Sequence, residues 1–458
     1  MEDESRLDAH LTAVENGLVD SAPLLESHAA RFSAVARDVT RRRALICRLP
    51  NEVLREVLTI AIYDRFARSG RTEYKFAGVC GLWRQLVLDI RWPHFRISSS
   101  STPTKIDAMW EFISQRLTHA PQHLHITNVH SKESGLLVSK QLSKILTLHK
   151  VQITLDSTHS PAVFHDNFQC SELSLTDLFD TDFHPPFPLA ETLMSAQGIQ
   201  KLYICTERPI ELQAIHTAGF GGVVDLTLAE VDTLWLDPLL RAMPSLKKLR
   251  LERMETIIVE LGEGQTTLVS AISTLVLRHV NTEWMTRLRC PDLTSLALDL
   301  FGQPNLVAFI FKSPRLKSFT VYDDDESFDL DILVPYFKNI EYLEIDRLYP
   351  VIGEWQAMGL PTPSFPNLKT LNIPDIYTFD PSACHTLISA RCLPNTDPRS
   401  TRPPGLPPVE LLFGNWGHET MKRFLETDEI MAASTRETRR ETCPFSDDDR
   451  GFSVFKWS

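Results

Sequence analysis

Three histidines, His119, His123 and His125, fall within seven residues, a spacing close enough to hold a metal ion. His123 and His125 flank Leu124 in the run HLHIT, and on a strand residues two apart share one face, so both point away from the leucine. No carboxylate or cysteine lies nearby to complete a coordination set, and the cluster reads as surface, not as a metal site. GFGG at 219–222 is followed by no lysine and reads as a turn. The acidic run Asp323–Glu326 reads as a solvated loop. No GxxxxGK[ST], GxGxxG, GxSxG or HExxH occurs, so phosphate-cradle, dinucleotide, serine-hydrolase and zinc-protease chemistry have no motif to rest on. No catalytic residue, cofactor or metal is expected, and the chain reads as non-enzymatic. What remains are side chains that make interfaces. Tyrosine and arginine are the commonest interface anchors, and Tyr203, Arg250, Arg278, Tyr322 and Tyr342 are the candidates for partner binding. They lie far apart in sequence, so their value depends on the elements that carry them.

Those elements are repeats. From about residue 120 a unit close to P-x-L-x-x-L-x-L recurs: APQHLHIT, VQITLD, CSELSLTDL, IQKLYI, VVDLTLAEV, MPSLKKLRLERM, AISTLVLRHV, CPDLTSLALDLF, SPRLKSFTVYDD, FKNIEYLEIDRL and FPNLKTLNIPDI. Their apolar pairs begin at 124, 153, 173, 202, 226, 249, 275, 296, 319, 343 and 371, in or close to the 20–29-residue spacing of leucine-rich repeats. In L-x-L both apolar residues point to one face of a strand and the middle residue to the other. One unit cannot bury its own apolar face, but a stack of units shares a continuous core. Each unit returns to its start through a crossover, so the strands are expected to pair in parallel with their sequence neighbours only. Leu249, Leu251, Leu275, Leu277, Leu296 and Leu298 are expected in that core. The middle residues Ser174, Tyr203, Thr227, Arg250, Val276, Ala297, Thr320, Glu344 and Asn372 are expected outward on the concave side. Flanking outward positions add Lys248, Glu252, Arg278, Tyr322, Tyr342 and Asp346.

Composition sets the class. The chain has 458 residues, 43% hydrophobic and 23% charged, with a formal net charge of −12, ordinary values for a folded protein large enough for a sizeable core. The acidic balance argues against the broad basic surface of sequence-independent nucleic-acid binding. No apolar run is long enough to span a membrane, and the acidic start MEDESRLDAH does not fit a secretory signal. The eight scattered cysteines form no C-x-x-C pair and read as reduced thiols. A cytoplasmic or nuclear protein is expected.

The N-terminal part differs. Residues 1–43 carry a 4–3 apolar spacing interrupted by Gly17 and Pro23, which reads as a helical hairpin or short coiled coil. In LPNEVLREVLTIAIYDRF, Pro50 suits a helix first turn, and Val53, Leu54, Val57, Leu58, Ala61 and Ile62 form a broad apolar stripe. A polar loop separates this from a second helix, KFAGVCGLWRQLVLDI, and SSSSTPT reads as a linker.

LPNEVLREVL followed by VCGLWRQL resembles an F-box, the helical motif that docks substrate receptors onto the Skp-type adaptor of SCF ubiquitin ligases. The resemblance covers Ala44–Ile90 and rests on Leu49–Pro50, Glu52–Leu54, Val57–Leu58, and Val79–Cys80 with Trp83. The layout is similar to F-box proteins with C-terminal leucine-rich repeats abundant in mushroom-forming fungi. The resemblance implies that Leu49, Pro50, Val53, Leu54, Val57, Leu58, Val79 and Trp83 lie at or beneath an adaptor interface. It also implies a Skp-type adaptor and cullin ligase core as partners, with a target protein held by the repeats. The isolated stripe around Leu54 and Leu58 is expected to be more exposed than a core helix face. Two features depart from the family pattern. YDRFARSGRTEY lengthens the span between the helices, and the repeats lack the asparagine or cysteine three residues after L-x-L, having Leu178, Val231, Met254 and Val280 there instead. A repeat scaffold without a ubiquitin role is the alternative.

The expected fold is an α/β leucine-rich-repeat solenoid with a parallel sheet, preceded by a small all-helical F-box-like segment and N-terminal helices. Its parts are helices at 1–43, an F-box-like domain at 44–97, a linker and helix at 98–119, and the solenoid at 120–377. An irregular Pro-rich loop, last strand and capping helix follow at 378–433, then a flexible tail at 434–458.

Overall fold

The computed structural model describes residues 49–69, 81–90, 94–98, 123–129, 148–155, 168–177, 196–210, 220–260, 267–299, 308–310, 312–322, 338–345, 366–375, 388–402, 404–415, 435–442 and 449–456, with Ser33, Leu142 and Asn305. The N-terminal hairpin, the linker after Ser98, Val79, the acidic run after Tyr322 and the capping helix lie outside them. The chain divides into two compact units, Met1–Pro93 with Arg116–His119, and His94–Gln115 with Ala120–Ser458.

In the first unit, helix α1 (Asn51–Ser69) packs on helix α2 (Gly81–Asp89). Pro50 stands just before α1, where its missing N–H costs nothing, and its carbonyl accepts the Leu54 amide at 2.9 Å. Leu54 and Leu58, each 1% exposed, sit one turn apart on the buried face, with Leu86, Val87 and Ile90 buried on the α2 side. Arg55 and Asp89 pair at 2.7 Å, but both are about half exposed, so the link adds little.

The second unit is a parallel-sheet solenoid. Its main sheet runs through β1 (His94–Ser98), β2 (His123–Val129), β3 (Leu148–Leu155), β4 (Phe168–Asp177), β5 (Lys201–Cys205), β6 (Asp225–Ala229), β7 (Lys248–Met254), β8 (Thr274–Val280), β9 (Ser295–Asp299), β10 (Ser318–Tyr322), β11 (Tyr342–Ile345), β12 (Thr370–Asp375) and β13 (Glu410–Asn415). Every one of these pairs in parallel with its neighbours in that order, as expected for units that each touch only the next. Leu173, Leu202, Leu226, Leu249, Leu275, Leu296, Phe319, Leu343, Leu371 and Leu411 stand opposite one another in one row. All are buried, as are Leu251, Leu277 and Leu298 one step along. Burying a side chain of this size is worth about 1.5–3 kcal/mol, and the row is the spine of the core.

The backbone repeats as closely as the side chains. Ahead of β5 to β11 one carbonyl accepts two successive amides from the next repeat. Val224 accepts from Lys247 and Lys248, Lys247 from Ser273 and Thr274, Ser273 from Thr294 and Ser295, and Thr294 from Lys317 and Ser318. The pattern continues with Lys317 accepting from Glu341 and Tyr342, and Glu341 from Lys369 and Thr370. Side chains reinforce this corner. Ser273 donates to the Lys247 carbonyl, Thr294 to Ser273, Asn339 to Pro314 and Asn367 to Lys338. The polar ladder that the sequence lacks after L-x-L is thus present before the strands. At the ends of the strands, Glu230, Arg253 and His279 occupy the same repeat position with φ of 62°, 52° and 51°, turning the chain so that Val231, Met254 and Val280 return to the core.

Helices are sparse among the described residues of this unit. Helix α3 (Leu236–Ala242) follows β6. Elsewhere the return side carries short parallel pairs, Thr233–Trp235 with Thr256–Ile258 and Leu268–Val269 with Leu288–Arg289.

Three boundaries differ from the sequence reading. His94–Ser98, placed at the end of the F-box-like domain, is the first strand of the sheet and pairs with β2. In VQITLD the residue opposite both Leu124 and Leu173 is Val151, not Ile153; the slip is two residues, so the same side chains still face the core. The segment expected to be a flexible tail contains β14 (Thr435–Thr442) and β15 (Asp449–Lys456), and β15 lies antiparallel between β13 and β14. This hairpin closes the C-terminal edge of the parallel sheet with the charged strand TRETRRET, which blunts the edge against further pairing.

Candidate functional site

The leucine row faces the core, so the alternate residues of each strand face the other way and form the far face of the sheet. Its middle row reads Gln152, Ser174, Tyr203, Thr227, Arg250, Val276, Ala297, Thr320, Glu344 and Asn372 in register. The row one step before it begins Lys150, Glu172, Lys201, Asp225, Lys248 and continues Thr274, Ser295, Ser318, Tyr342, Thr370. The two rows divide at the same place, between β7 and β8.

From β3 to β7 the far face holds an open depression of about 380 Å³. Charges alternate along its first row, and neighbours pair: Lys201 with Glu172 at 2.8 Å and Lys248 with Asp225 at 3.4 Å. Tyr203 is half-buried, and burial pushes its hydroxyl pKa well above the usual value, so it stays a hydrogen-bonding phenol. Arg250 is 16% exposed by its side chain, with Nε 3.6 Å from Oε1 of Glu252. That separation is an ion pair without a hydrogen bond, and Nε and Nη2 of Arg250 are buried with no hydrogen-bond partner.

From β8 onward the far face is closed. Val276 and Ala297 are fully buried and cluster with Tyr322, and the Arg278 guanidinium lies over the Tyr322 ring, 3.9 Å from its centroid. Thr320, Glu344 and Asn372 are buried. Tyr342 donates its hydroxyl to Glu344 at 2.5 Å, and Asn372 donates to Glu344 at 2.9 Å and to Tyr342 at 3.0 Å. Lys248 and Arg250 do share a face with Val276 and Ala297, but the expectation that this face is open to solvent throughout fails at β8. Small and apolar residues in the middle row let larger neighbours lie flat across them.

The five expected anchors therefore separate. Tyr203 and Arg250 line one depression, two strands apart. Arg278 and Tyr322 stack on each other in the closed part, and Tyr342 is engaged by Glu344 and Asn372. The alternating Lys150–Lys248 row was missed as a unit; the residue before each L-x-L, read down successive repeats, is its signal.

His123 and His125 lie on the far face of β2 with Leu124 and Ile126 buried behind them, and the His125 Nε2 sits 3.2 Å from the Thr154 hydroxyl. The described cysteines, Cys170, Cys205, Cys290 and Cys392, are free thiols. Burial pushes Cys170 and Cys290 up to about 12 and Cys205 up to about 11, so none of these three is poised as a thiolate nucleophile. On the core side, Asp177 and Arg208 form a buried ion pair, with Nη2 donating to Oδ1 at 3.3 Å and Nε 2.7 Å from Oδ2, and the Thr206 hydroxyl donates to Asp177 at 3.2 Å. It ties the loop after β5 to β4, a structural role.

In the helical unit, the residues implied at an adaptor interface fall on two faces. Leu54 and Leu58 are core, contrary to the expectation of exposure. Leu49, Val53, Val57 and Ile60 are between 38% and 61% exposed and share a stripe at helical spacing. Pro50 is exposed at its start and Trp83 is partly buried on α2.

No family model matches the chain, and no curated protein is similar to it. Among solved structures, a crystal structure of a Bacteroides fragilis protein aligns with 66% of this chain and 83% of its own, at 12% identity and a TM-score of 0.34.

Proposed function

We propose that the chain is a substrate-recognition adaptor of an SCF-type ubiquitin ligase, in which α1 and α2 dock a Skp-type adaptor and cullin core and the solenoid holds the target protein. The observation that carries this reading is the stripe Val53, Val57 and Ile60 on α1, continued by Leu49 just before it, exposed while Leu54 and Leu58 on the neighbouring face are buried. An aligned apolar row left in water on an otherwise folded helix is the mark of a docking surface. The solenoid supports the second half of the reading, since stacked repeats present a long surface whose residues vary without disturbing the core. The role is non-catalytic. A leucine-rich-repeat scaffold without a ligase partner needs the solenoid alone and leaves the α1 stripe unexplained.

The test is co-expression with a Skp-type adaptor and measurement of the complex by size-exclusion chromatography. Val53→Glu and Val57→Glu, which place charge on the exposed stripe, are expected to abolish the complex without lowering the melting temperature. Leu54→Glu is expected to unfold the helical unit instead, because an unpaired carboxylate in that core costs several kcal/mol. A wild-type chain that forms no complex, or stripe variants that still form it, would leave the scaffold reading in its place.

A further inference from the structure

We infer that the depression across β3–β7 binds an extended peptide segment of the partner through a single carboxylate seated on Arg250. This rests on the solenoid being the partner-binding part of the chain and adds the chemistry of what is bound.

A guanidinium carries five N–H donors in a rigid fork. Nε and Nη2 of Arg250 are buried without a hydrogen-bond partner, and the nearest carboxylate, Glu252, stands off at 3.6 Å. Buried donors left unmade are costly and rare, and the partly exposed Arg250 side chain lines an open depression. A planar acceptor with two oxygens fits such a fork.

Charge decides which acceptor. The depression is lined by four cations, Lys150, Lys201, Lys248 and Arg250, against three carboxylates, Glu172, Asp225 and Glu252. Lys201 and Lys248 are held by Glu172 and Asp225, and Glu252 faces Arg250 without a hydrogen bond, so with Lys150 the depression as a whole carries a surplus of one positive charge. One carboxylate neutralises it. A phosphate near −2 would overshoot and meet the repulsion of three carboxylates. Gln152, Ser174, Thr176 and Thr227 line the remainder and offer neutral donors and acceptors to a peptide backbone. Five strands at about 4.8 Å spacing span roughly 19 Å, the length of about six extended residues. Beyond β7 the far face is closed, which fixes one end of the track.

The probes are labelled hexapeptides, acetylated and amidated so that no terminal charge contributes, with glutamate, glutamine or phosphoserine at one central position in a serine–glycine background. Binding to the purified full chain is read by fluorescence polarisation. The glutamate peptide is expected to bind about tenfold or more tightly than its glutamine counterpart, the scale of one charge-assisted pair. Arg250→Gln should erase that preference. Arg315→Gln, which removes an exposed arginine paired with Asp292 at 2.6 Å, should keep it. Should Arg250→Gln melt at a lower temperature, Thr227→Asp supplies the independent arm: Thr227 lies opposite Arg250 on β6, and a carboxylate there should occupy the guanidinium and weaken the glutamate peptide by a similar factor. Equal binding of glutamate and glutamine peptides, tighter binding of phosphoserine, or a preference that survives both variants would overturn the assignment. No adaptor is present in this measurement, so its failure leaves docking by α1 untouched, and a failure of docking leaves this measurement standing.

Discussion

The far face of β3–β7 and that of β8–β12 are built on one backbone and differ in everything else. Core leucines continue through both in a single register, and the shared corner carbonyl recurs from Val224 to Glu341 without a break. Yet Thr227 and Arg250 sit on an open polar depression, and Val276 and Ala297, next in the same row, are fully buried. The difference teaches that a repeat specifies its core residues and leaves the opposite residue free. Charged side chains there keep the surface wet; small apolar ones let aromatic and arginine neighbours lie down and close it.

The strongest way to break this comparison is one substitution made at two equivalent places. Val276→Asp is expected to cost more than about 4 kcal/mol, because the new carboxylate would be buried without a partner. Thr227→Asp, in the same row on the open half, should not destabilise, since its carboxylate reaches both water and the Arg250 guanidinium opposite. Denaturant midpoints read both. Similar costs would mean that the two halves are not distinct surfaces.

A second contrast is on the core side. The open half carries the buried Asp177–Arg208 pair, whose side chains are 1% and 2% exposed. Burial works against both charges, raising Asp177 and lowering Arg208, while each partner pulls the other back. Arg208→Met strips the counter-charge from Asp177 and should cost about 3 kcal/mol. The Asp177→Leu/Arg208→Met double variant should recover much of that loss, since an apolar pair needs no compensation. Thermal unfolding of the three proteins decides it; a double variant worse than Arg208→Met would show that the pair contributes net stability.

A smaller effect concerns pH at the N-terminal side of the open half. His123 is lowered from 6.5 to about 4, first by burial and then by the charge of Lys150. The folded state therefore binds this proton less readily than the unfolded chain does. Its contribution is fully present above about pH 6.5 and is lost as pH falls from there towards 4. His123→Gln should flatten that limb of the stability curve in wild-type-paired titrations, and an unchanged limb would place the loss on other groups.

The alternation of L-x-L made the solenoid legible, because strand period and repeat spacing come from the same physical need to share a core. The openness of the far face was not legible. A middle-row valine, alanine or threonine looks the same in sequence whether water or a neighbour lies over it, and the stacking of Arg278 on Tyr322 spans β8 to β10. Two stripes on α1 were merged for a similar reason: Val53 and Leu54, or Val57 and Leu58, are adjacent apolar residues, and only packing against α2 decides which one is core. The C-terminal hairpin was hidden by charge. TRETRRET lacks apolar alternation because it is an edge, although Phe452 and Val454 in its partner strand carry the period-two signal.

The smallest expected effect tests whether the backbone really ignores the boundary between the halves. Glu230, Arg253 and His279 adopt left-handed φ at the same turn of three successive repeats, two on the open side and one at the end of β8. Glycine is at ease there, and a β-branched residue is not. Arg253→Val should cost about 1–2 kcal/mol, the penalty of a Cβ crowded by its own backbone. Arg253→Gly relieves that crowding but loses the exposed 2.6 Å pair with Glu230 and frees the unfolded chain, so it should fall within about 0.5 kcal/mol of the parent. His279→Gly should behave the same way: it loses an exposed imidazole 3.7 Å from Asp299, while the hydrogen bond its backbone N–H donates to the Asp299 carboxylate survives. Paired denaturation curves for the two glycine variants that agree would place the change of surface wholly in the side chains. If His279→Gly were much more costly than Arg253→Gly, the turn itself would be part of what closes the second half.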